Sequence, residues 1–271
     1  MPELPEVETV CRALAPSLVG NQIRTVVIRH TQLRWPIASK LSELSNEPMV
    51  SLQRRAKYLL LQLSQGWLII HLGMSGTLRL LPAKTAVNKH DHIDLQLACG
   101  QLLRFTDPRR FGAWLWCEDP WQHRLLQHLG VEPLSPAFTG TYLAQAAQGQ
   151  RMAIKPWLMK SNVVVGIGNI YASEALYQAK ISPLCLAGAL DQIAINRLVD
   201  SIRLILAQAI AQGGSTLRDF RQTNGKLGYF TQQHEVYNRK NQPCRHCTTP
   251  IVQLRQGQRS TFYCPSCQRG W

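Results

Sequence analysis

Acidic residues are scarce in this 271-residue chain: 16 Asp and Glu stand against 30 Lys and Arg, a formal charge of +14. Such an imbalance points to a polyanionic partner, because each phosphate neutralised by Lys or Arg releases condensed counterions. Nucleic acid is the first candidate and an anionic membrane surface the second. Long apolar runs are also missing. The longest, such as Trp67 to Leu72, fall far short of the roughly 20 residues a membrane-spanning helix needs. The opening Met-Pro-Glu-Leu-Pro-Glu lacks the basic region of a secretory signal. The expectation is a cytoplasmic chain without membrane association. Neither repeats nor low-complexity segments occur, and the 45% hydrophobic content supports one large domain or two ordinary ones.

Of eight cysteines, Cys11, Cys99, Cys117 and Cys185 are scattered singly and read as small buried hydrophobes. The other four, Cys244, Cys247, Cys264 and Cys267, form C-x2-C-x16-C-x2-C. In a reducing compartment that spacing reads as one structural Zn²⁺, since two tight turns can present four thiolates tetrahedrally; two disulfides are the alternative.

Val7, Val10, Cys11, Leu14 and Leu18 recur at helical spacing, which predicts an amphipathic helix over residues 5–15 with Pro5 in its first turn. From Ile23 to Cys117 the texture is that of strands: Lys57 to Leu63, Trp67 to Leu72, Thr77 to Leu81, alternation through Ile93, Leu95 and Leu97, then Leu103 and Phe105. An antiparallel sandwich or barrel follows. Pro133, Pro136 and Gly140 mark a connection. Helices follow at Ile170 to Ala179 and from Leu190 to Ile210, the latter stopping at Gly213-Gly214. The expected division is 1–133, 134–233 and 234–271.

Residues 234–271 carry six Lys and Arg against one acid, and Arg255, Gln258 and Arg259 lie between the cysteine pairs. A hairpin there can reach a phosphate or a groove, or be a solvated basic surface. At the other end, the small residue after Met1 permits methionine removal. Pro2 would then be a secondary amine titrating near 8, partly unprotonated and nucleophilic at neutral pH. Glu6 and Glu8 also suit the first turn of a helix through its dipole.

PELPEVET at 2–9, QRRAKYLLL at 53–61, HLGMSG at 71–76, KHDHIDL at 89–95, TDPRRFG at 106–112, AIKPW at 153–157, VGIGNIYASEAL at 165–176 and the terminal cysteines occur in this order. Together they resemble the formamidopyrimidine-DNA glycosylase family from end to end. The resemblance implies an α+β fold: an N-terminal antiparallel β-sandwich flanked by helices, then a helical helix-two-turn-helix domain with a four-cysteine zinc finger. It implies a monomer without an obligate protein partner that acts on damaged double-stranded DNA. Such an enzyme flips the target nucleotide out, because a stacked C1′ cannot be attacked. The implied activity is bifunctional: release of oxidised purines through a Schiff base, then strand cleavage by β,δ-elimination. Neither a catalytic metal nor an organic cofactor is implied.

Residue by residue, the resemblance makes Pro2 the nucleophile and Glu3 the carboxyl group that handles protons as the deoxyribose opens, with Glu6 its supporting neighbour. Lys57 matches the lysine of β-elimination and phosphate contact, and Arg259 the zinc-finger arginine of phosphate binding and δ-elimination. Asn169 matches a phosphate-holding asparagine at a helix start, where the alternative is a plain cap. Met74, Arg109 and Phe111 match the side chains that fill the space left by the everted base, although Met and Phe are more often core residues. His90, and more weakly Arg151 and His71, match DNA-contacting positions. His90 and His92 alternate onto one strand face without a third ligand, which argues against a second metal. Thr216 to Tyr229 corresponds to a loop that closes over oxidised guanine.

Two departures limit the transfer: Leu227 where many members carry proline, and the basic, polar Lys160-Ser161-Asn162 where an acid is expected. Two other readings stay open, an endonuclease VIII-like glycosylase for oxidised pyrimidines and a non-catalytic zinc-ribbon DNA-binding protein.

Overall fold

The computed structural model describes residues 2–215 and 234–269. Its first helix, α1 (Leu4–Leu18), outruns its predicted span at both ends. Leu4, Val7, Val10, Cys11, Leu14 and Leu18 form its buried stripe, and burial of Leu18 carries the helix through Pro16 into its last turn. Glu3 is the N-cap, and its backbone N–H donates to Glu6 Oε2 at 2.8 Å.

Eight antiparallel strands follow: β1 (Gln22–Ile28), β2 (Glu47–Arg55), β3 (Tyr58–Leu63), β4 (Gly66–His71), β5 (Thr77–Pro82), β6 (Asp91–Leu97), β7 (Gln101–Thr106) and β8 (Ala113–Cys117). Their order is β5-β7-β6-β1-β2-β3-β4-β8. β1 and β2 meet only through the pairs Gln22↔Pro48 and Ile23↔Glu47. The sheet therefore divides there into two four-stranded halves that share one core. Leu59, Leu61 and Ile70 come from one half, Ile93, Leu95 and Phe105 from the other, and α1 completes the cluster. This is the expected antiparallel sandwich. Away from that core Arg104, 1% exposed, pairs with Asp94 at 2.8 Å and donates to the carbonyls of Ala86 and Thr85. It thereby fixes the loop that leads to His90. A buried charge is tolerated only when paired in this way.

The chain forms two compact units. One comprises Met1–Gln127 together with, among the described residues, 212–215. The other contains α2 (Gly140–Ala147), α3 (Ile154–Leu158), α4 (Asn169–Gln178), α5 (Gln192–Ala211) and the hairpin β9 (Val252–Gln256) and β10 (Arg259–Tyr263). Residues 128–131 already belong to this second unit: the Gly130 N–H donates to the Ser161 carbonyl, and Val131 bridges Val164. α5 buries Leu198, Ile202, Ile205, Leu206 and Ala209 along one face, and Arg203 donates to the Ser135 and Phe138 carbonyls at 2.9 and 2.7 Å. Its end at Gly213 and Gly214, both at positive φ, matches the sequence reading.

Among the described residues no helix is long and apolar enough to cross a membrane. Of the single cysteines, Cys11 and Cys185 are buried as expected. Cys99 is exposed and Cys117 half-buried, because one sits in a turn and the other ends the edge strand β8.

Candidate functional site

In the first unit, the candidate nucleophile Pro2 and Glu3 lead into α1. Pro2 is buried and Glu3 is 3% exposed. The Glu6 carboxylate reaches back to the Glu3 N–H and also accepts the Ser215 N–H at 2.7 Å. Gly214 is required for that second bond, since at φ +82° a Cβ there would lie 3.0 Å from Glu6 Oε1. Glu6 is thus a buried anchor of the segment that carries Pro2 and Glu3.

Lys57 is not on a strand. It follows Ala56, at φ +54°, in the two-residue turn that joins β2 and β3, and no Gly or Asn announces that turn. The turn is tied to α1: Arg54 donates to Glu8 at 2.7 Å and to the Ala56 carbonyl at 3.1 Å. Glu8 therefore does more than compensate a helix dipole. Burial alone would raise its pKa, but the Arg54 and Arg12 hydrogen bonds outweigh that and hold it below the usual carboxylate value.

Next to this turn, Tyr58 pairs with His71 across β3 and β4, their rings 5.0 Å apart. His71 Nδ1 accepts the Gly73 N–H at 3.0 Å, so in the neutral ring Nε2 carries the proton and is left as a donor. Burial, with Lys57 and Arg34 nearby, pushes this imidazole from 6.5 down to about 4. The unfolded chain takes up a proton from pH 6.5 downward, whereas the folded chain resists until about 4. The stability present above pH 6.5 is therefore lost as pH falls through that window, by up to about 1.4 kcal/mol per unit. In guanidinium titrations at pH 7 and 5, the wild type should lose on the order of 2 kcal/mol more than His71→Asn. Equal losses would show that the ring is not held neutral.

Met74, Arg109 and Phe111 are brought together on two loops. Met74 and Phe111 are 36% and 44% exposed, so the core reading fails, and the Arg109 guanidinium lies 4.8 Å over the Phe111 ring. The residue that organises them was missed by sequence reasoning. Asp107, fully buried, accepts from the Ser75 hydroxyl at 2.7 Å and the Gly112 N–H at 2.8 Å, which joins the Met74 loop to the Arg109 loop. In a chain so poor in acids, an Asp inside TDPRRFG was the available signal. His92 Nε2 meets the Asp107 carbonyl at 2.8 Å. His90 is half-buried in the turn before β6, so the two histidines do not share a strand face as expected.

In the second unit, Asn169 is the first residue of α4 and Gly168 is the cap, so the plain-cap alternative does not hold. Lys155, also unassigned from sequence, is 1% exposed and donates to Asn169 Oδ1 at 2.7 Å, the Ser260 carbonyl at 3.0 Å and Thr261 Oγ1 at 2.9 Å. With Oδ1 occupied, the Asn169 amide NH₂ is the group left to donate to an anion at the helix start. Lys155 and Arg259 both line a cleft of about 280 Å³. Arg259 is exposed beside the Gly257-Gln258 turn, and Arg151 is exposed just ahead of α3.

Cys244, Cys247, Cys264 and Cys267 place their sulfurs within 4.8 Å of one another and form no disulfide. Sulfurs bound at 2.3 Å around a tetrahedral Zn²⁺ stand about 3.8 Å apart; Cys244 and Cys267 are 3.8 Å apart, and Cys247 lies 3.4 Å from both Cys264 and Cys267. Backbone N–H groups of His246 and Cys267 point at sulfurs 3.4 Å away, and the donor set suits one structural zinc with no open position. The 216–229 loop and Leu227 lie outside the described residues.

Exposed Met74 and Phe111 with Arg109 over the Phe111 ring, and a basic hairpin beside a four-cysteine cluster, are features of a DNA-binding protein. The formamidopyrimidine-DNA glycosylase N-terminal domain matches residues 1–114, its H2TH domain 129–221, and the zinc finger found in FPG and IleRS 241–270. The formamidopyrimidine-DNA glycosylases of Serratia proteamaculans and Escherichia coli O6:H1 are 55% and 54% identical, each over 99% of this chain and 100% of the relative. The crystal structure of MutM (FPG) from Thermus thermophilus superimposes with a TM-score of 0.89 at 36% identity, covering 98% of both chains. Lactococcus lactis Fpg in complex with abasic-site DNA gives 0.90 at 31%, covering 98% of this chain and 99% of that one. The chain belongs to the formamidopyrimidine-DNA glycosylase family. It is accordingly a DNA glycosylase with AP lyase activity, and its cofactor is a structural zinc.

Proposed function

We propose that this chain releases oxidised purines, 8-oxoguanine and formamidopyrimidines, from double-stranded DNA in the cytoplasm and then cleaves the strand. The observation that carries the residue assignment is the start of α1, where Pro2 is followed by a buried Glu3 whose backbone Glu6 clamps. The Pro2 nitrogen attacks C1′, the glycosidic bond breaks, and Glu3 delivers a proton as the sugar ring opens to leave the iminium. Lys57 acts at β-elimination, and Arg259 at phosphate binding and δ-elimination. Met74, Arg109 and Phe111 fill the vacated stack, which offsets an unstacking cost of roughly a few kcal/mol. Asn169, His71, His90 and Arg151 hold the backbone. In this division of labour, 1–133 is the catalytic β-sandwich domain that supplies Pro2, Glu3 and Lys57, 134–233 the helix-two-turn-helix, and 234–271 the zinc finger that adds Arg259. A Lactococcus lactis Fpg variant bound to Fapy-dG-containing DNA, at TM-score 0.92 and 32% identity, supports the substrate class.

Single-lesion duplexes test this reading when base release and strand ends are scored together. Wild-type enzyme should free 8-oxoguanine and leave phosphates at both ends of the gap, and Glu3→Gln should lose base release while retaining most cleavage of a preformed abasic site. Preferential release of oxidised pyrimidines would favour the endonuclease VIII-like reading. Binding without either product would leave a zinc-ribbon DNA-binding protein.

A further inference from the structure

The zinc knuckle is held by α4 as well as by its own turns. Glu174 on α4, 3% exposed, accepts three consecutive backbone N–H groups, those of Glu235, Val236 and Tyr237, at 2.8, 3.1 and 2.7 Å. These are the residues through which the chain enters the module. One turn further along α4, the Tyr177 hydroxyl lies 3.2 Å from Cys244 Sγ. Beyond the end of α4, Gln268 donates to the Ile181 carbonyl and accepts the Cys264 N–H, both at 2.9 Å.

We infer that Tyr177 is an outer-sphere ligand of the zinc centre, a positioning residue whose O–H donates to the Cys244 thiolate. The direction follows from chemistry, because a zinc-bound thiolate carries no proton and can only accept. Four thiolates on Zn²⁺ leave a charge of −2. Cys244 is only 1% exposed, so that charge must be stabilised by donors rather than by water. Three reach Cys244 Sγ: the Tyr177 hydroxyl and the backbone N–H groups of His246 and Cys247, so Tyr177 supplies the side-chain O–H among them. A cleft of about 310 Å³, lined by Tyr177, Arg245, His246 and Cys267, opens beside the cluster and gives a chelator a route to it. Tyr177 thus stabilises the metal from α4, the helix whose first residue is Asn169.

Tyr177→Phe keeps the ring and removes only the hydroxyl. Outer-sphere partners typically contribute 10- to 100-fold to metal affinity. The intact variant should release zinc to a chromogenic chelator on the order of 10-fold faster than wild type, with undamaged-duplex affinity unchanged while the metal is bound. In cobalt-substituted protein, the sulfur-to-metal charge-transfer band should move to lower energy, because a thiolate that loses a hydrogen bond holds its electrons less tightly. Glu174→Gln, which weakens docking without touching sulfur, should leave that band in place. Zinc release at the wild-type rate would overturn the inference. So would faster release with an unmoved band, which would place the effect in docking.

Discussion

Chemical blocking of the amino terminus is expected to abolish borohydride trapping of the chain on 8-oxoguanine or abasic duplex, and Pro2→Gly is expected to weaken it. The mature protein should begin at Pro2, since only the free amine has a lone pair outside an amide. A secondary amine condenses directly to the iminium cation, whereas the primary amine left by Pro2→Gly must also keep its extra proton from dissociating to remain an electron sink. A free amino terminus titrates at about 8, so an appreciable fraction is unprotonated and nucleophilic near neutral pH. Removing a nucleophile outright costs on the order of 10³-fold or more in rate, so the blocked enzyme should fall below detection. Its zinc content and affinity for undamaged duplex should be intact. Undiminished trapping after blocking would move the nucleophile to another amine, of which Lys57 would be the first to examine.

The parts legible from sequence are those whose physics is local. The α1 stripe repeats every three to four residues, the cysteine knuckles are set by two tight turns, and Gly213-Gly214 ends α5 because both take positive φ. Lys57 reads as part of a strand because Ala56 adopts its positive φ without a glycine to mark it. Met74 and Phe111 cannot be separated from core residues until their exposure is known. Asp107, Lys155 and Glu174 share another reason for being missed. Each is a buried ionisable group with at least one partner far along the chain: Ser75 for Asp107, Thr261 for Lys155 and Tyr237 for Glu174. Periodicity carries no trace of such distant partners. The catalytic candidates are matched by motif, but the groups that hold them in place are visible only in three dimensions.

The same long-range dependence shapes what should happen when the metal is removed. Cys247→Ser is expected to lose zinc, lower duplex affinity by on the order of 100-fold, and reduce cleavage at subsaturating DNA, although no step of the chemistry uses the metal. All four coordination positions are taken, so none is open for an activated water. The module's own core is small, built around Val236, Ile251 and Phe262 with Cys244 and Cys264 themselves as members, and a core of that size depends on its metal to hold its shape. Arg259 sits on the hairpin that this core supports, and Lys155 reads the hairpin's position through the Ser260 carbonyl and Thr261 hydroxyl while holding Asn169. Losing the metal should therefore disturb Arg259 and Asn169, the two groups proposed to hold phosphate, together. Arg259→Ala should remove one alone: zinc stays bound, affinity still falls, and the salt dependence of binding drops by about one counterion. Zinc content by mass spectrometry and duplex affinity across a salt series separate the two variants. If Cys247→Ser lost its zinc yet bound and cleaved lesion duplex normally, both the structural role of the metal and the placement of Arg259 at the DNA would have to be abandoned.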